Sequence, residues 1–152
     1  MALPNIFTKS ISDSIIQRLE LLNPDTKAQW GVMTVDQMLA HCNVTYEMAY
    51  ENIHPEPNFI LKLILKAFVK KRVVGEDPYP KNNPTAPAFI IKGRKDFNQE
   101  KNRLIAYINK TQILGEQHFE GKKSLSFGVL NKTEWNNMFY KHLNHHLTQF
   151  GV

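Results

Sequence analysis

Hydrophobic residues recur at three- and four-residue intervals in four stretches of the chain, with polar residues between them. In a helix, this spacing places the apolar side chains on one face. The first stretch ends at Asn23-Pro24, because proline disfavours helical geometry in the residue before it. The apolar positions are Ile11, Ile15, Ile16, Leu19 and Leu22; Val35, Met38, Leu39, Cys42, Tyr46, Ala49 and Ile53; Phe97, Leu104, Ile105, Ile108 and Ile113; and Trp135, Met138, Phe139, Leu143, Leu147 and Phe150. The pattern predicts four amphipathic helices.

Two of the predicted helices have a marked start. Thr34 is followed three residues later by Gln37, and Asn131 is followed at the same distance by Glu134. Both pairs are typical of a capping box, in which two side chains bind backbone N–H groups that the first turn leaves free. We therefore expect the second helix to begin at Thr34 and the last helix to run from Asn131 to Phe150.

The most apolar stretch, NFILKLILKAFVKKRVV at residues 58–74, lies between the second and third of these helices. Its polar positions Lys62, Lys66 and Lys70 form one narrow line. The stretch is too short to span a bilayer, and this line is thin for a helix that lies on a membrane. We expect the stretch to pack on the other helices or to form a homodimer contact through residues 59–69.

The chain has the length of one domain, residues 1–152, and the pattern predicts an all-α four-helix bundle. About forty residues connect the second and third helices, enough for a crossover with an extra short helix. A long crossover allows either an up-down-down-up order or a simple meander. Residues 75–88 contain four prolines and are expected to be irregular, and residues 115–130 return the chain to the last helix.

Charge and composition narrow the function classes. The net charge of +5 raises the possibility of a nucleic-acid partner, but Lys70-Lys71-Arg72 is the one local basic run. This favours a solvated basic surface and no nucleic-acid partner. The N-terminus lacks the features of a signal peptide, and no apolar run is long enough to cross a membrane, so a cytoplasmic protein is expected. The single cysteine, Cys42, excludes an internal disulfide.

The histidines carry the strongest signal for chemistry. His142 and His146 lie one turn apart on the apolar stripe of the last helix, a spacing that aims two imidazoles at one point. At about 100° per residue, His146 lies roughly 40° from His142, and His145 lies roughly 60° away on the opposite flank. We therefore pair His142 with His146 and place His145 at the rim. The alternative is that these are core or surface histidines with hydrogen-bond partners.

His41 is the third candidate ligand, because it lies among the apolar positions of the second helix. A buried imidazole needs a hydrogen-bond partner or a metal. Three imidazoles would leave room for water or substrate, as in catalytic zinc sites, and they suit zinc or nickel. Cys42 projects about 100° away and is expected to be a small core residue. Apolar neighbours are expected to keep the site dry, namely Met38, Trp135 and Phe139.

Three segments carry a resemblance to a known superfamily. MLAHC with His41, KHLNHHLTQFG with His142 and His146, and NNPTAPAF together resemble an uncharacterised family within the DinB/YfiT-like superfamily of metalloenzymes. The resemblance implies an up-down-down-up bundle, often dimeric, that holds a divalent metal through the three histidines. It also implies chemistry of the kind assigned to some members, which are thiol-dependent transferases and isomerases.

Two functions follow from these signals. The first is a metal-dependent enzyme, a transferase that acts with a low-molecular-weight thiol on a small-molecule substrate. The second is a non-catalytic metal-binding or stress-associated interaction module. The sequence offers no general base beside the ligands, because Glu47, six residues from His41, projects to another face.

Overall fold

A computed structural model describes residues 2–152 and shows a mostly helical chain, as the apolar pattern predicts. A π-helical turn, Leu65–Val69, lies between the third and fourth helices, and a 3-10 turn, Pro87–Phe89, lies in the crossover. The helices are α1 Lys9–Glu20, α2 Val35–Tyr50, α3 Phe59–Ile64, α4 Lys70–Val74, α5 Phe97–Phe119 and α6 Lys132–Gln149, and the strands are β1 Lys123–Ser124 and β2 Gly128–Val129.

The predicted helix starts are confirmed at α2 and α6. The Asn131 side chain accepts a hydrogen bond from the Glu134 backbone N–H at 2.9 Å, and the Glu134 carboxylate accepts from the Asn131 N–H at 3.0 Å. At α2 the Gln37 amide oxygen accepts from the Thr34 N–H at 3.1 Å. Side chains thus satisfy N–H groups at both starts, which stabilises α2 and α6 where they begin.

Helices α1, α2, α5 and α6 share one hydrophobic core. α5 and α6 each contact α1 and α2 and also contact each other. Tyr46 of α2 lies at the centre, stacked on Tyr107 of α5 at 5.6 Å and on Phe139 of α6 at 4.8 Å between ring centroids. The all-α class is therefore observed, whereas the up-down-down-up bundle order stays a prediction.

Two residues expected on apolar faces are exposed. Ile53 is 62% exposed because α2 ends at Tyr50, and Ile113 is 78% exposed although it lies within α5. In residues 115–130, α5 continues to Phe119 and β1 pairs with β2 in an antiparallel hairpin. Gly115, at φ +71°, kinks α5 in a conformation that glycine adopts readily.

The apolar stretch forms the predicted extra helix of the crossover, but much of it does not pack on the core. Phe59, Ile60 and Phe68 are 74%, 70% and 79% exposed, so packing on the other helices is wrong for these residues. Leu65 and Val69 are partly buried against the core. The homodimer contact stays a prediction.

Residues 2–152 include no helix with the length and hydropathy that crossing a membrane requires. The cytoplasmic location stays a prediction.

Candidate metal centre

The structure brings together the three histidines that the sequence nominates. α2 packs on α6, which places His41 opposite His142 and His146. The Nε2 atoms of His41 and His142 are 2.9 Å apart, and one nitrogen from each of the three rings lies within 4.8 Å of the others. Two helix faces defined by local periodicity therefore meet at a compact cluster of nitrogen atoms.

Each of the three rings is held through its other nitrogen. His41 Nδ1 lies 2.8 Å from the Phe89 carbonyl oxygen, and His146 Nδ1 lies 2.8 Å from the Gln149 amide oxygen. Because both oxygens only accept hydrogen bonds, each Nδ1 carries the proton. The Nε2 atoms of His41 and His146 therefore keep their lone pairs, as a metal ligand must.

A second hydrogen bond fixes the orientation of the Gln149 amide. Its Nε2 group donates to the Trp30 carbonyl oxygen at 2.7 Å, so its oxygen must face His146. Trp30 lies in the connector between α1 and α2. Through Gln149, its carbonyl group thus determines which nitrogen of His146 is protonated.

The third ring, His142, has an adaptable partner. Its Nδ1 lies 3.0 Å from the hydroxyl oxygen of Thr45, a group that both donates and accepts. When His142 Nδ1–H donates to Thr45, the two facing Nε2 atoms of His41 and His142 both present lone pairs at 2.9 Å. The two lone pairs would repel each other, and a cation bound between them would replace this repulsion with attraction to both nitrogens. Thr45 therefore permits the proton arrangement that metal binding needs.

Burial keeps the three imidazoles neutral. It lowers the pKa of His41, and burial together with the neighbouring imidazoles lowers the pKa of His142 well below the ordinary value. Burial and the proximity of His41 lower the pKa of His146 to about 3, although the hydrogen bond that His146 donates to the Gln149 amide oxygen acts to raise it. Neutral imidazole is the form that binds a metal, so the site is ready for an ion at neutral pH.

The donor set fits a divalent transition metal. An ion bound at about 2.0–2.1 Å from imidazole nitrogens places those nitrogens roughly 3 Å apart. The 2.9 Å between the Nε2 atoms of His41 and His142 is close to this spacing, whereas the limit of 4.8 Å that covers all three nitrogens is larger. Imidazole ligands suit zinc and nickel.

Within residues 2–152, no acidic side chain or thiol joins the three histidines. Cys42 is buried with its sulfur 3.8 Å from that of Met38, and burial raises the pKa of its thiol, as expected of a core residue. Glu47 instead binds Arg103 at 2.5 Å and His54 at 2.7 Å. Its projection away from His41 agrees with the sequence.

His145 lies outside the cluster, as the helical angles predict. Its ring packs edge-on against Tyr79 at 5.7 Å and Trp30 at 6.0 Å between centroids, and burial lowers its pKa. It also lines the cavity beside His146. His145 therefore belongs to the wall of the site and not to the set of nitrogens that face one another.

The histidines open into a cavity of about 930 Å³. The expected apolar neighbours are only partly correct, since Trp135 lines the cavity whereas Met38 and Phe139 lie in the core behind it. Two aromatic residues of the crossover take their place. Phe89 and Tyr79 pack edge-on against His142 at 5.9 Å and 6.5 Å between ring centroids.

Sequence reasoning also missed residues that support or line the site. Trp30 lines the cavity, and its indole N–H is buried with no partner in the described residues. Gln149 lies three residues after His146 on the same helix, a spacing that could have indicated their contact. Thr45 and Phe89 carry no such signal, because they come from other elements than the rings they bind.

Comparison with known families matches residues 8–151 to the family described as "Protein of unknown function (DUF1569)". No curated protein and no solved structure matches the chain. The family match does not link the chain to the DinB/YfiT-like superfamily, so that resemblance stays a prediction.

Proposed function

Since the chain belongs to the DUF1569 family, whose function is unknown, we propose from the site alone that His41, His142 and His146 bind a divalent metal ion used on a small molecule. One observation carries the proposal. All three rings are held at Nδ1 by a residue of the chain, the Nε2 atoms of His41 and His142 face each other at 2.9 Å, and a ring nitrogen of His146 lies within 4.8 Å of them. Second-shell contacts of this kind orient histidine ligands and fix their tautomers.

A bound ion would lower the pKa of a coordinated thiol or water and supply positive charge. The chain itself would bind that ion, orient the rings through Phe89, Thr45 and Gln149, and surround the substrate with the cavity wall. Three protein ligands without a fourth are typical of catalytic rather than structural zinc sites. We therefore propose a metal-dependent enzyme of DinB-like type, with a transferase that acts with a low-molecular-weight thiol as the leading reaction.

The second candidate is a metal-binding or stress-associated interaction module. The exposed apolar residues of α3 favour it, since apolar patches of this kind commonly mark interaction sites. In that case the ion would join α2 to α6 without reacting with a substrate. We propose the same α3 surface as a homodimer contact of an up-down-down-up bundle.

Metal analysis tests the site directly. Wild-type protein is dialysed against zinc or nickel, and the bound ion is measured by mass spectrometry. The adjacent histidines provide a matched pair: His146→Ala should lose the ion, and His145→Ala should retain it. Wild-type protein that binds no zinc, nickel or cobalt would refute the metal centre.

The cobalt-substituted protein separates the two candidate functions. Titration with dithiothreitol or glutathione should change its visible absorption spectrum if a coordination position faces the cavity. A spectrum typical of four protein ligands, unchanged by every thiol and small anion, would reject the enzyme and support the interaction module.

A further inference from the structure

One wall of the cavity is a continuous stripe from the α3–α4 segment. Leu65, Phe68, Val69, Arg72 and Val73 all line the cavity, at spacings of three, four, seven and eight residues from the first. The π-helical turn Leu65–Val69 contributes the first three residues of this stripe. Turns of this type occur frequently at functional sites. The stripe is apolar except for the guanidinium of Arg72.

The other cavity walls are also mostly apolar. Met48 and Ala49 of α2, Met138 of α6, and Leu125 and Phe127 between β1 and β2 contribute to them. The volume of about 930 Å³ is near the upper end of the range for small-molecule sites, about 300–1,000 Å³. The space thus exceeds what a short thiol needs and favours a ligand with a large apolar body.

The cavity lining carries positive but no negative permanent charge among the described residues. Among the described residues that line it, none is Asp, Glu or Lys, and Arg72 is the one permanently charged side chain. No described acidic side chain forms an ion pair with Arg72, whereas nearby Lys70 pairs with Glu134 at 2.9 Å. Arg72 is therefore a solvent-exposed cationic residue on the lining of a mostly apolar cavity.

The backbone that carries Arg72 is fixed beside the metal centre. The Lys141 ammonium donates to the carbonyl oxygens of Arg72 at 2.7 Å and Gly75 at 2.6 Å. The Asn137 amide donates to the Val74 carbonyl oxygen at 2.9 Å. Because Lys141 immediately precedes His142, these bonds anchor the end of α4 to the turn of α6 that presents the histidines.

We propose that the cavity binds an amphipathic anion, with its apolar body along the stripe and its carboxylate or phosphate group on Arg72. A guanidinium binds either group through two parallel hydrogen bonds, which gives strong and directional recognition. This assignment rests on the proposed function only in taking the bound molecule as the substrate of the metal centre. Binding of the anion itself requires Arg72 and the apolar wall.

Calorimetric titration tests the proposal with four probes, which are decanoate, decyl phosphate, decyltrimethylammonium and acetate. The three long-chain probes are kept below their micellar concentrations. At least one of the two long-chain anions should have an affinity about tenfold or more above that of the cation of equal chain length. Its affinity should exceed that of acetate by the same factor. The tighter anion identifies the recognised group as carboxylate or phosphate. Equal affinity for the anions and the cation would overturn the proposal.

Two substitutions on one helix provide the matched control. Arg72→Gln should reduce the affinity for the preferred anion about tenfold or more and abolish its advantage over the cation. Lys71→Gln removes the same charge from the adjacent exposed position, which does not line the cavity, and should preserve that advantage. Unchanged anion binding by Arg72→Gln, or an equal loss in both variants, would reject Arg72 as the recognition residue.

The titrations are repeated with chelator-treated and zinc-loaded protein to separate this proposal from the metal centre. Zinc binding without discrimination between the probes would reject the amphipathic anion and leave the metal centre intact. Arg72-dependent binding of decanoate or decyl phosphate to a protein that takes up no metal would support the cavity assignment and reject the metal-dependent function.

Discussion

At the scale of single residues, one amide holds the ring of His146 and should therefore influence metal binding. Gln149 accepts the His146 Nδ1 proton and donates to Trp30, so Gln149→Leu should release the ring and lower zinc affinity about 10- to 100-fold. Gln149→Glu keeps the acceptor and should retain more of the affinity than Gln149→Leu. Competition with a chromophoric chelator measures the change.

The control for this experiment is Gln117→Leu, which makes the same change on an exposed part of α5. Its zinc affinity should equal that of wild type. Equal affinities in Gln149→Leu and Gln117→Leu would show that His146 does not depend on Gln149 for its orientation.

Acid should destabilise the metal-free protein through the same histidines. The folded pKa of His146 is about 3 and the ordinary value is 6.5, so the unfolded chain binds more protons between these limits. The contribution to stability is complete above the ordinary value and is lost as pH falls toward the folded pKa. Urea unfolding of chelator-treated protein at several pH values between neutrality and about pH 4.5 measures the slope.

His146→Leu should flatten this slope, because it removes one group that the folded state keeps neutral. His118→Gln provides the comparison: partial burial and the nearby Lys122 and Lys110 also lower the pKa of this exposed histidine, but it lies outside the cluster and should flatten the slope less than His146→Leu does. An identical slope in wild type and His146→Leu would mean that His146 is as readily protonated in the folded state as in the unfolded chain.

At the scale of the elements, a metal ion should join α2 to α6. An ion that binds only the folded chain stabilises it by about 2.7 kcal/mol when its free concentration is a hundredfold above the Kd. Chelator should therefore lower the melting temperature of wild type by several degrees and leave that of His142→Ala almost unchanged. Equal shifts in both proteins would contradict stabilisation through these ligands.

The side chain of Phe119 packs the end of α5, beyond Gly115, against the core. Phe119 is fully buried, stacked on Phe7 at 5.0 Å and tilted against Trp135 at 5.5 Å between ring centroids. Phe119→Ala should cost about 3–5 kcal/mol of unfolding free energy, because it leaves a cavity in the core. Urea denaturation checks this value.

Ile113→Ala on the same helix is the matched comparison. Ile113 is 78% exposed, so its loss should change stability by less than about 0.5 kcal/mol. A similar cost for the two substitutions would show that the packing of Phe119 does not hold this end of α5 in place.

At the scale of the whole molecule, the exposed face of α3 is the surface on which we expect a second copy. Lys62 pairs with Glu56 at 2.5 Å, which neutralises part of the basic line beside the apolar residues and favours an apolar partner. Ile60→Glu should convert a dimer to a monomer in light scattering without destabilising the chain, because Ile60 is 70% exposed. Wild type that stays monomeric at high concentration would reject the dimer.

Ile113→Glu tests whether any added charge on an exposed apolar residue has this effect. It places the same carboxylate at an exposed isoleucine of α5 and should leave the dimer intact. Dissociation by both variants would indicate a general effect of charge and remove the evidence for an α3 interface.

The sequence by itself determined which faces of the main helices are apolar and where α2 and α6 begin. These features depend on residues three or four positions apart, as the Asn131 and Glu134 capping pair shows. The same local angles placed His142 and His146 together and set His145 aside. The three histidines could therefore be predicted as candidate ligands from the sequence alone.

The tertiary structure alone decided how those histidines are held and what surrounds them. Phe89 reaches His41 from the crossover, and Thr45 of α2 reaches His142 of α6. It also placed Arg72, which is exposed as the sequence suggested, on the lining of a cavity where the described residues include no acidic side chain. Such contacts depend on which distant segments meet, and local periodicity carries no record of that.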